Sequence, residues 1–373
     1  MIDNLEKDKN SSLSVKAVKG GVWVFIIQVV KRILSLGRLI LLARLLQPKD
    51  FGLMGIALLT MSILDIFSKT GFMEKLIQKK ENIEDYLNTA WTVLVFRGIF
   101  IFAFMIFISS PVSTFFESPD ALNIIRLVAL SPLLIGLQNI GIVYFRRNLQ
   151  FNKQFIYEVS GTAIDFVVAV VFAIIFRSVY ALVFGLLAGD IIRLIVSYIL
   201  SPVRPRFCFL IDKAKDMYIF GRWVLGSGIL VFIATQGDDI FVGKLLGVAA
   251  LGFYQMAYKI STLVVTEVTY VIEKVSFPVY AKIQDNLIKL KQIYTDVLKL
   301  TAFVTIPIGG FIFIFSEQIV EYFLGKNWLP IIPILKILSI AGVVRSLVGT
   351  AGSLIRSIDK PQIETFWLSL IHI

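Results

Sequence analysis

Residues 21–57, GVWVFIIQVVKRILSLGRLILLARLLQPKDFGLMGIA, return without a gap at residues 221–257 as GRWVLGSGILVFIATQGDDIFVGKLLGVAALGFYQMA. At this constant offset ten pairs are identical, among them Gly21/Gly221, Trp23/Trp223, Gly37/Gly237, Leu45/Leu245, Leu46/Leu246 and Gly52/Gly252. Agreement in one fixed register indicates a duplicated unit, and both copies are apolar hairpins with charges set inside them. Internal duplication in a very hydrophobic chain points to a membrane transporter of two pseudo-symmetric lobes.

The composition supports that frame. The 373 residues are 57% hydrophobic and include 31 Phe, and the mean hydropathy is +0.81. A hydrocarbon core of ~30 Å is crossed by about 20 helical residues, and apolar runs of that length recur along nearly the whole chain. Ten spans are expected, near 20–46, 51–72, 89–109, 121–145, 158–177, 179–200, 220–244, 250–273, 297–316 and 331–352. The tight turn Gln47–Asp50 makes spans 1 and 2 a hairpin, because Pro48 stops the first helix and Asp50 can cap the second. Six spans separate the two copies, and an even number returns the chain to the same side, so the lobes are parallel repeats. The expectation is an all-α integral membrane protein with two parallel pseudo-symmetric bundles of six helices. The amino-terminal lobe takes residues 1–201, a cytoplasmic linker 202–219, and the second lobe 220–373, where an eleventh span opens at Pro361 and stops short.

A net charge of +11 would suit nucleic acid if the basic residues shared one soluble face, but their placement along the chain excludes that partner. Twenty-one of them lie before span 1 or after the even-numbered spans, including Lys75, Lys79, Arg146, Arg147, Lys153, Arg204, Arg206, Lys213, Lys289 and Arg356. The odd-numbered connections hold four: Lys49, Arg177, Lys244 and Lys326. This asymmetry puts the amino terminus and the even loops on the cytoplasmic side of the membrane. The first 19 residues are too polar for a cleaved signal peptide, so span 1 is expected to stay. Cys208 is the only cysteine and His372 the only histidine, which leaves no disulfide framework and no His/Cys cluster for a metal, and no cofactor is implied.

Polar stripes run inside the apolar spans. Gln28, Lys31, Arg32, Ser35 and Arg38 fall within an arc of about 120° on a helix, and a mid-membrane Lys or Arg facing lipid costs about 2.5–3.5 kcal/mol. These cations are expected to face a wet cavity and to bind substrate. Span 8 carries Lys259, Thr262, Thr266, Tyr270 and Glu273 on one face, span 2 carries Ser62, Asp65 and Lys69, and span 7 carries Asp238 and Asp239. Spans 1, 2, 7 and 8 are thus candidate walls of one chamber, with Gln28 and Lys259 beside the three cations, and with Asp65, Asp238 and Asp239 as gating or ion-coupling groups. Two readings of Arg38 stand together: it binds an anionic substrate, or it pairs with Asp238, its counterpart in the repeat register. Asp238 and Asp239 are also candidates to carry a coupling H⁺ or Na⁺. More local explanations hold for Asp65/Lys69 and Asp190/Arg193, which suit neutralising pairs, and for Arg126, Lys299 and Lys336, which suit snorkelling near span ends. Arg97 and Arg345 lie deeper and are left open.

No phosphate loop, zinc motif or nucleophile elbow occurs, so neither nucleotide hydrolysis nor a catalytic role is indicated. Residues 17–23 (AVKGGVW), 42–52 (LARLLQPKDFG), 71–80 (GFMEKLIQKK), 88–91 (NTAW), 239–247 (DIFVGKLLG), 251–258 (LGFYQMAY), 277–278 (FP) and 325–328 (GKNW) together resemble bacterial polysaccharide flippases. These are the colanic acid, teichuronic acid and O-antigen type exporters of the multidrug/oligosaccharidyl-lipid/polysaccharide exporter superfamily. The resemblance implies alternating access by two lobes and a substrate of oligosaccharide on undecaprenyl diphosphate. It implies membrane lipids as further partners, and allows contact with polysaccharide polymerase machinery. It also implies a cavity lined by the first two helices of each lobe; by their charge and position, rather than by the resemblance, Lys31, Arg32 and Arg38 would meet the diphosphate or acidic sugars there. The alternative on the same fold is a cation-coupled multidrug antiporter, which calls for a cavity of acids and aromatics. A membrane glycosyltransferase would need a large catalytic loop, and the loops here are short.

Overall fold

The computed structural model describes residues 2–68, 71–78, 83–284 and 286–357. Among them the regular structure is helical: α1 (Ile2–Leu45), α2 (Pro48–Phe67), α3 (Phe72–Gln78), α4 (Glu84–Phe115), α5 (Ala121–Val128), α6 (Leu130–Leu137), α7 (Val143–Arg147), α8 (Phe151–Phe176), α9 (Tyr180–Leu200), α10 (Ile211–Leu246), α11 (Val248–Ile283), α12 (Leu287–Ile314), α13 (Ser316–Ile319) and α14 (Ile332–Ser357). Among the described residues, six helices are long and apolar enough to cross a membrane, or seven if the bent succession α5 to α7 is one span. Their most apolar windows are only 22–44% buried, so a majority of apolar residues faces outward, as a hydrocarbon solvent requires. Helices α1, α10 and α11 are as long but are interrupted by charged residues. Nine of the ten expected stretches lie, to within about two residues, inside a helix or, for span 4, a bent run; span 2 was expected to reach residue 72, whereas α2 ends at Phe67, and the expected eleventh, from Pro361, lies outside the described residues.

Two compact units divide the chain. One comprises residues 1–46 and 53–232, the other residues 47–52 and 233–373.

In the first unit, span 4 is not the single straight helix expected. Its parts Ala121–Leu137 and Ile140–Arg147 meet at 68°. The break is at Asn139, fully buried, whose Oδ1 accepts from Gly141 N (2.8 Å) while its Nδ2 donates to Val203 O (2.7 Å) and its backbone N to Ser197 Oγ (2.9 Å). A side chain that satisfies nearby backbone groups in this way competes with the helical hydrogen bonds and stops the helix. The segment after α9 is extended and strapped along α4. Its alternate amides, Arg206, Cys208 and Leu210, donate to Asn88 Oδ1 (2.9 Å), Thr92 Oγ1 (3.0 Å) and Thr89 Oγ1 (3.2 Å). Phe207 closes on Trp91 at 4.8 Å between ring centroids, and α10 then begins at Ile211, inside the expected linker.

In the second unit, the duplicated hairpin turn shows its symmetry at atomic level. A Cβ at Gly52 would stand 1.9 Å from Val248 O, and one at Gly252 would stand 2.1 Å from Pro48 O. Gly52 and Gly252, and Pro48 and Val248, are the same positions of the two repeats, so the contact is reciprocal. The turn itself differs from expectation in one detail: Asp50 does not precede α2 but sits in its first turn, where Oδ2 accepts from Gln47 N (2.9 Å) behind Pro48 at the first helical position. In the other copy, Gly247 makes the turn with φ +88°.

Because both glycines approach backbone carbonyls, Gly52→Ala and Gly252→Ala are each expected to destabilise the purified protein by about 1–3 kcal/mol through overpacking. Thermal unfolding in detergent checks this, and the two variants should fall by similar amounts.

Candidate functional site

The charges of α1 do not stand alone. Lys31 Nζ meets Glu158 Oε2 at 2.8 Å and Arg38 Nη2 meets Asp165 Oδ1 at 3.0 Å, both acids lying on α8. Lys31 and Arg38 are seven residues apart, as are Glu158 and Asp165, so two parallel helices are joined by two rungs at heptad spacing. One end of this contact is closed by Trp23 against Phe155, 5.8 Å apart and edge-on, and the Phe166 ring lies beside Gly37. The pairs are partly open, with side-chain exposures of 35% and 16% for the first and 21% and 20% for the second.

Glu158 is the better-served carboxylate. Gln154 Nε2 donates to its Oε1 at 2.8 Å, and Arg146 Nη2 reaches the same oxygen at 3.4 Å. Deeper in the unit, α8 and α9 approach through Gly161, Gly185 and Gly189, and the space where their side chains would lie is taken by Arg193 and Asp165. Arg193 Nη1 pairs with Asp190 Oδ1 (3.0 Å), its Nη2 donates to Thr162 Oγ1 (3.3 Å), and Ser131 Oγ donates to Asp190 Oδ2 (2.5 Å). Acids and bases therefore alternate across α1, α8 and α9. Lys31 and Arg38, expected to face a wet cavity, each have a carboxylate of α8 as partner, which offsets the several kcal/mol that an unpaired charge costs in a low-dielectric interior.

Of the other expected site residues, Arg32 is half-buried and Gln28 and Lys259 are exposed. Asp65 pairs with Arg97 Nη2 (2.5 Å), and Arg97 also donates from Nε to Ser68 O (2.8 Å) and from Nη2 to Asp65 O (2.8 Å). Arg97, left open by sequence, thus caps the carbonyl end of α2, a favourable place for a cation. Asp65 has Arg97 as partner; Lys69, the local partner expected for it, lies outside the described residues. A cavity of about 320 Å³ opens beside this pair, lined by Met61, Met73, Leu94, Pro132, Gln138 and Asn139 among others.

In the second unit Tyr254 OH donates to Asp238 Oδ2, and Gln255 Nε2 donates to Asp239 Oδ2 at 2.8 Å. Arg38 in the first unit thus has Asp165 as partner, and Asp238 in the second unit has Tyr254. Arg345 Nη1 donates to Tyr258 OH. The side chains of Thr266, Tyr270 and Glu273 lie outside the described part of α11. Sequence reasoning missed Glu158 and Asp165, although a signal was present: Gln154, Glu158, Thr162 and Asp165 recur at spacings of four, four and three, a polar stripe of the same kind as that of α1.

With this geometry in place, the comparison with known proteins is informative. The family profile described as polysaccharide biosynthesis protein matches residues 41–333. The chain belongs to the polysaccharide biosynthesis protein family. Among its relatives are the lipopolysaccharide biosynthesis protein WzxC of Escherichia coli K12, 26% identical over 95% of this chain and 72% of that one, and the teichuronic acid biosynthesis protein TuaB of Bacillus subtilis 168, 24% identical over 80% and 62%. Among solved structures, the lipid II flippase MurJ superposes with a TM-score of 0.73 at 18% identity, covering 93% of this chain and 78% of that one. An inward-facing multidrug resistance transporter of the MATE family, from the MOP superfamily, superposes at 0.70 with 16% identity, covering 89% and 82%. These structural likenesses establish a shared all-α fold, the exporter-superfamily fold that the family resemblance implied.

Removing one partner of a rung leaves the other charge without its counterion. Asp165→Ala is expected to lower stability by about 2 kcal/mol, less than the loss for a fully buried pair because Arg38 keeps some contact with solvent. Adding Arg38→Leu should return part of that loss, and a double-mutant cycle read by thermal unfolding measures the coupling.

Proposed function

We propose that this family member is a flippase, moving lipid-linked oligosaccharide, as polysaccharide repeat units on undecaprenyl diphosphate, across the bacterial inner membrane by alternating access. On this reading it is a transporter and not an enzyme, its amino terminus is cytoplasmic by the distribution of Lys and Arg, and the substrate passes from the cytoplasmic to the outer leaflet. The relatives named for lipopolysaccharide and teichuronic acid biosynthesis support this, as does one named for succinoglycan biosynthesis transport in Rhizobium meliloti. The observation that carries the reading is the set of cations within α1 of a family member on this fold. Lys31, Arg32 and Arg38 suit a diphosphate or acidic sugar, with Gln28 and Lys259 as hydrogen-bonding neighbours.

The α1–α8 rungs refine how such a site would operate. A cation held by a carboxylate is kept soluble in the membrane interior until a doubly charged phosphate group competes for it, so binding would be an exchange of anions at Lys31 and Arg38. Asp65, Asp238 and Asp239 are proposed as gating or ion-coupling groups, with H⁺ or Na⁺ as the candidate ions; Tyr254 and Gln255 give Asp238 and Asp239 each a neutral hydrogen-bond partner. The multidrug antiporter reading rests on fold likeness to the MATE transporters, whereas the relatives found by sequence are named for polysaccharide biosynthesis.

Complementation of a flippase-deficient strain with the full-length protein tests the assignment. Lys31→Ala, Arg32→Ala and Arg38→Ala are expected to reduce surface polysaccharide at least tenfold, and full restoration by all three would remove the cations from the mechanism. The exchange Lys31→Glu with Glu158→Lys separates pairing from substrate binding. It keeps the rung, so normal stability with lost export places the requirement on an α1 cation, whereas retained export assigns the pair to folding alone.

A further inference from the structure

At the end of the first unit where α4 begins, α7 turns into α8 and the strap leaves α9, a second cavity of about 470 Å³ opens. Its polar lining is rich in hydrogen-bond donors: the Lys153 ammonium, the Arg204 guanidinium, the Tyr144 hydroxyl and the amides of Asn88, Asn148 and Gln150. Two of these are held in place. Arg204 Nη1 donates to Ser201 O (2.6 Å) and Val203 O (2.9 Å), which fixes the guanidinium at the rim, and the Asn88 oxygen is committed to Arg206 N (2.9 Å), so the atoms it has left are donors. Lys153 Nζ lies 6.0 Å from the centroid of the Phe145 ring. Glu84 is the one carboxylate in the lining, so two cations against one acid leave a single positive charge.

The strap that edges this cavity carries exposed apolar side chains among basic ones. Phe207, Phe209 and Ile211 are 65%, 57% and 71% exposed, with Arg204 and Arg206 before them and Lys213 after. Aromatic and aliphatic residues interleaved with Lys and Arg in this way suit the boundary between headgroups and acyl chains. A basic cavity between helices at that boundary is suited to an anionic lipid headgroup.

We propose that this cavity is a binding site for the phosphodiester headgroup of an anionic bilayer phospholipid, held by Lys153 and Arg204 with its acyl chains against the apolar strap. The single net positive charge matches a monoanionic phosphodiester and not a diphosphate, and this separates the site from the α1 cations and from any carried substrate. The site depends on the chain being a membrane protein and not on which molecule it transports.

The test uses the full chain in detergent, titrated with short-chain phosphatidylglycerol and phosphatidylcholine, with glycerol phosphate, and with a polyprenyl diphosphate, and read by native mass spectrometry. Phosphatidylglycerol should bind at least tenfold more tightly than phosphatidylcholine. Lys153→Gln with Arg204→Gln should weaken it about thirtyfold, each cation supplying a factor of about five. Glu84→Gln should tighten it and raise the affinity for the diphosphate. Unchanged binding in the double variant, equal binding of phosphatidylcholine, equal binding of tail-free glycerol phosphate, or a preference of the wild type for polyprenyl diphosphate would each overturn the proposal. If the double variant does not fold, Arg204→Gln alone and the Glu84→Gln gain decide it.

Discussion

A charge inside a hydrocarbon slab must find an opposite charge or water, and the first unit of this protein is organised by that requirement. Lys31 and Arg38 on α1 find Glu158 and Asp165 on α8, two heptad-spaced rungs between helices more than a hundred residues apart in sequence. The same demand repeats in α9, where Arg193 takes Asp190 and Thr162, and at the end of α2, where Arg97 takes Asp65 and the last free carbonyls. Lipid offers helices little hydrophobic reason to associate, so close packing and polar pairs such as these define which helix neighbours which.

Small residues supply the complementary half of that logic. Gly161, Gly185 and Gly189 leave room for Arg193 and Asp165 between α8 and α9, so the charges sit where bulk would otherwise be. At the duplicated turn, Gly52 and Gly252 let each helix start approach a carbonyl of the other copy. Fold and function share these features. A balanced network that keeps cations in the membrane is also one that an anionic substrate can enter by competing for a partner, which a purely apolar bundle would not permit.

Irregular backbone is placed with equal economy. Asn139 breaks the fourth span and, in doing so, fastens the strap to the bundle through Val203 O. The strap continues by handing every second amide to a side chain of α4. This segment has a charge composition that suggests a loose linker, yet the amides of Arg206, Cys208 and Leu210 each have a side-chain acceptor on α4 that fastens it.

Much was legible in the sequence. The duplication, the long apolar runs and the Lys/Arg asymmetry determine a helical membrane protein with a repeated hairpin, because helix length, hydrophobic thickness and repeat register are properties of a linear pattern. The location of Lys31 and Arg38 on one face of α1 followed from helical periodicity in the same way. Their partners did not: periodicity places residues on a face but does not say which other face meets it, so Glu158 and Asp165 went unnoticed as the acids that meet Lys31 and Arg38. The break at Asn139 and the capping of α2 by Arg97 were hidden for the same reason. Only the tertiary structure could decide these, since a charge in a membrane is defined by its neighbours in space, and those neighbours come from distant parts of the chain.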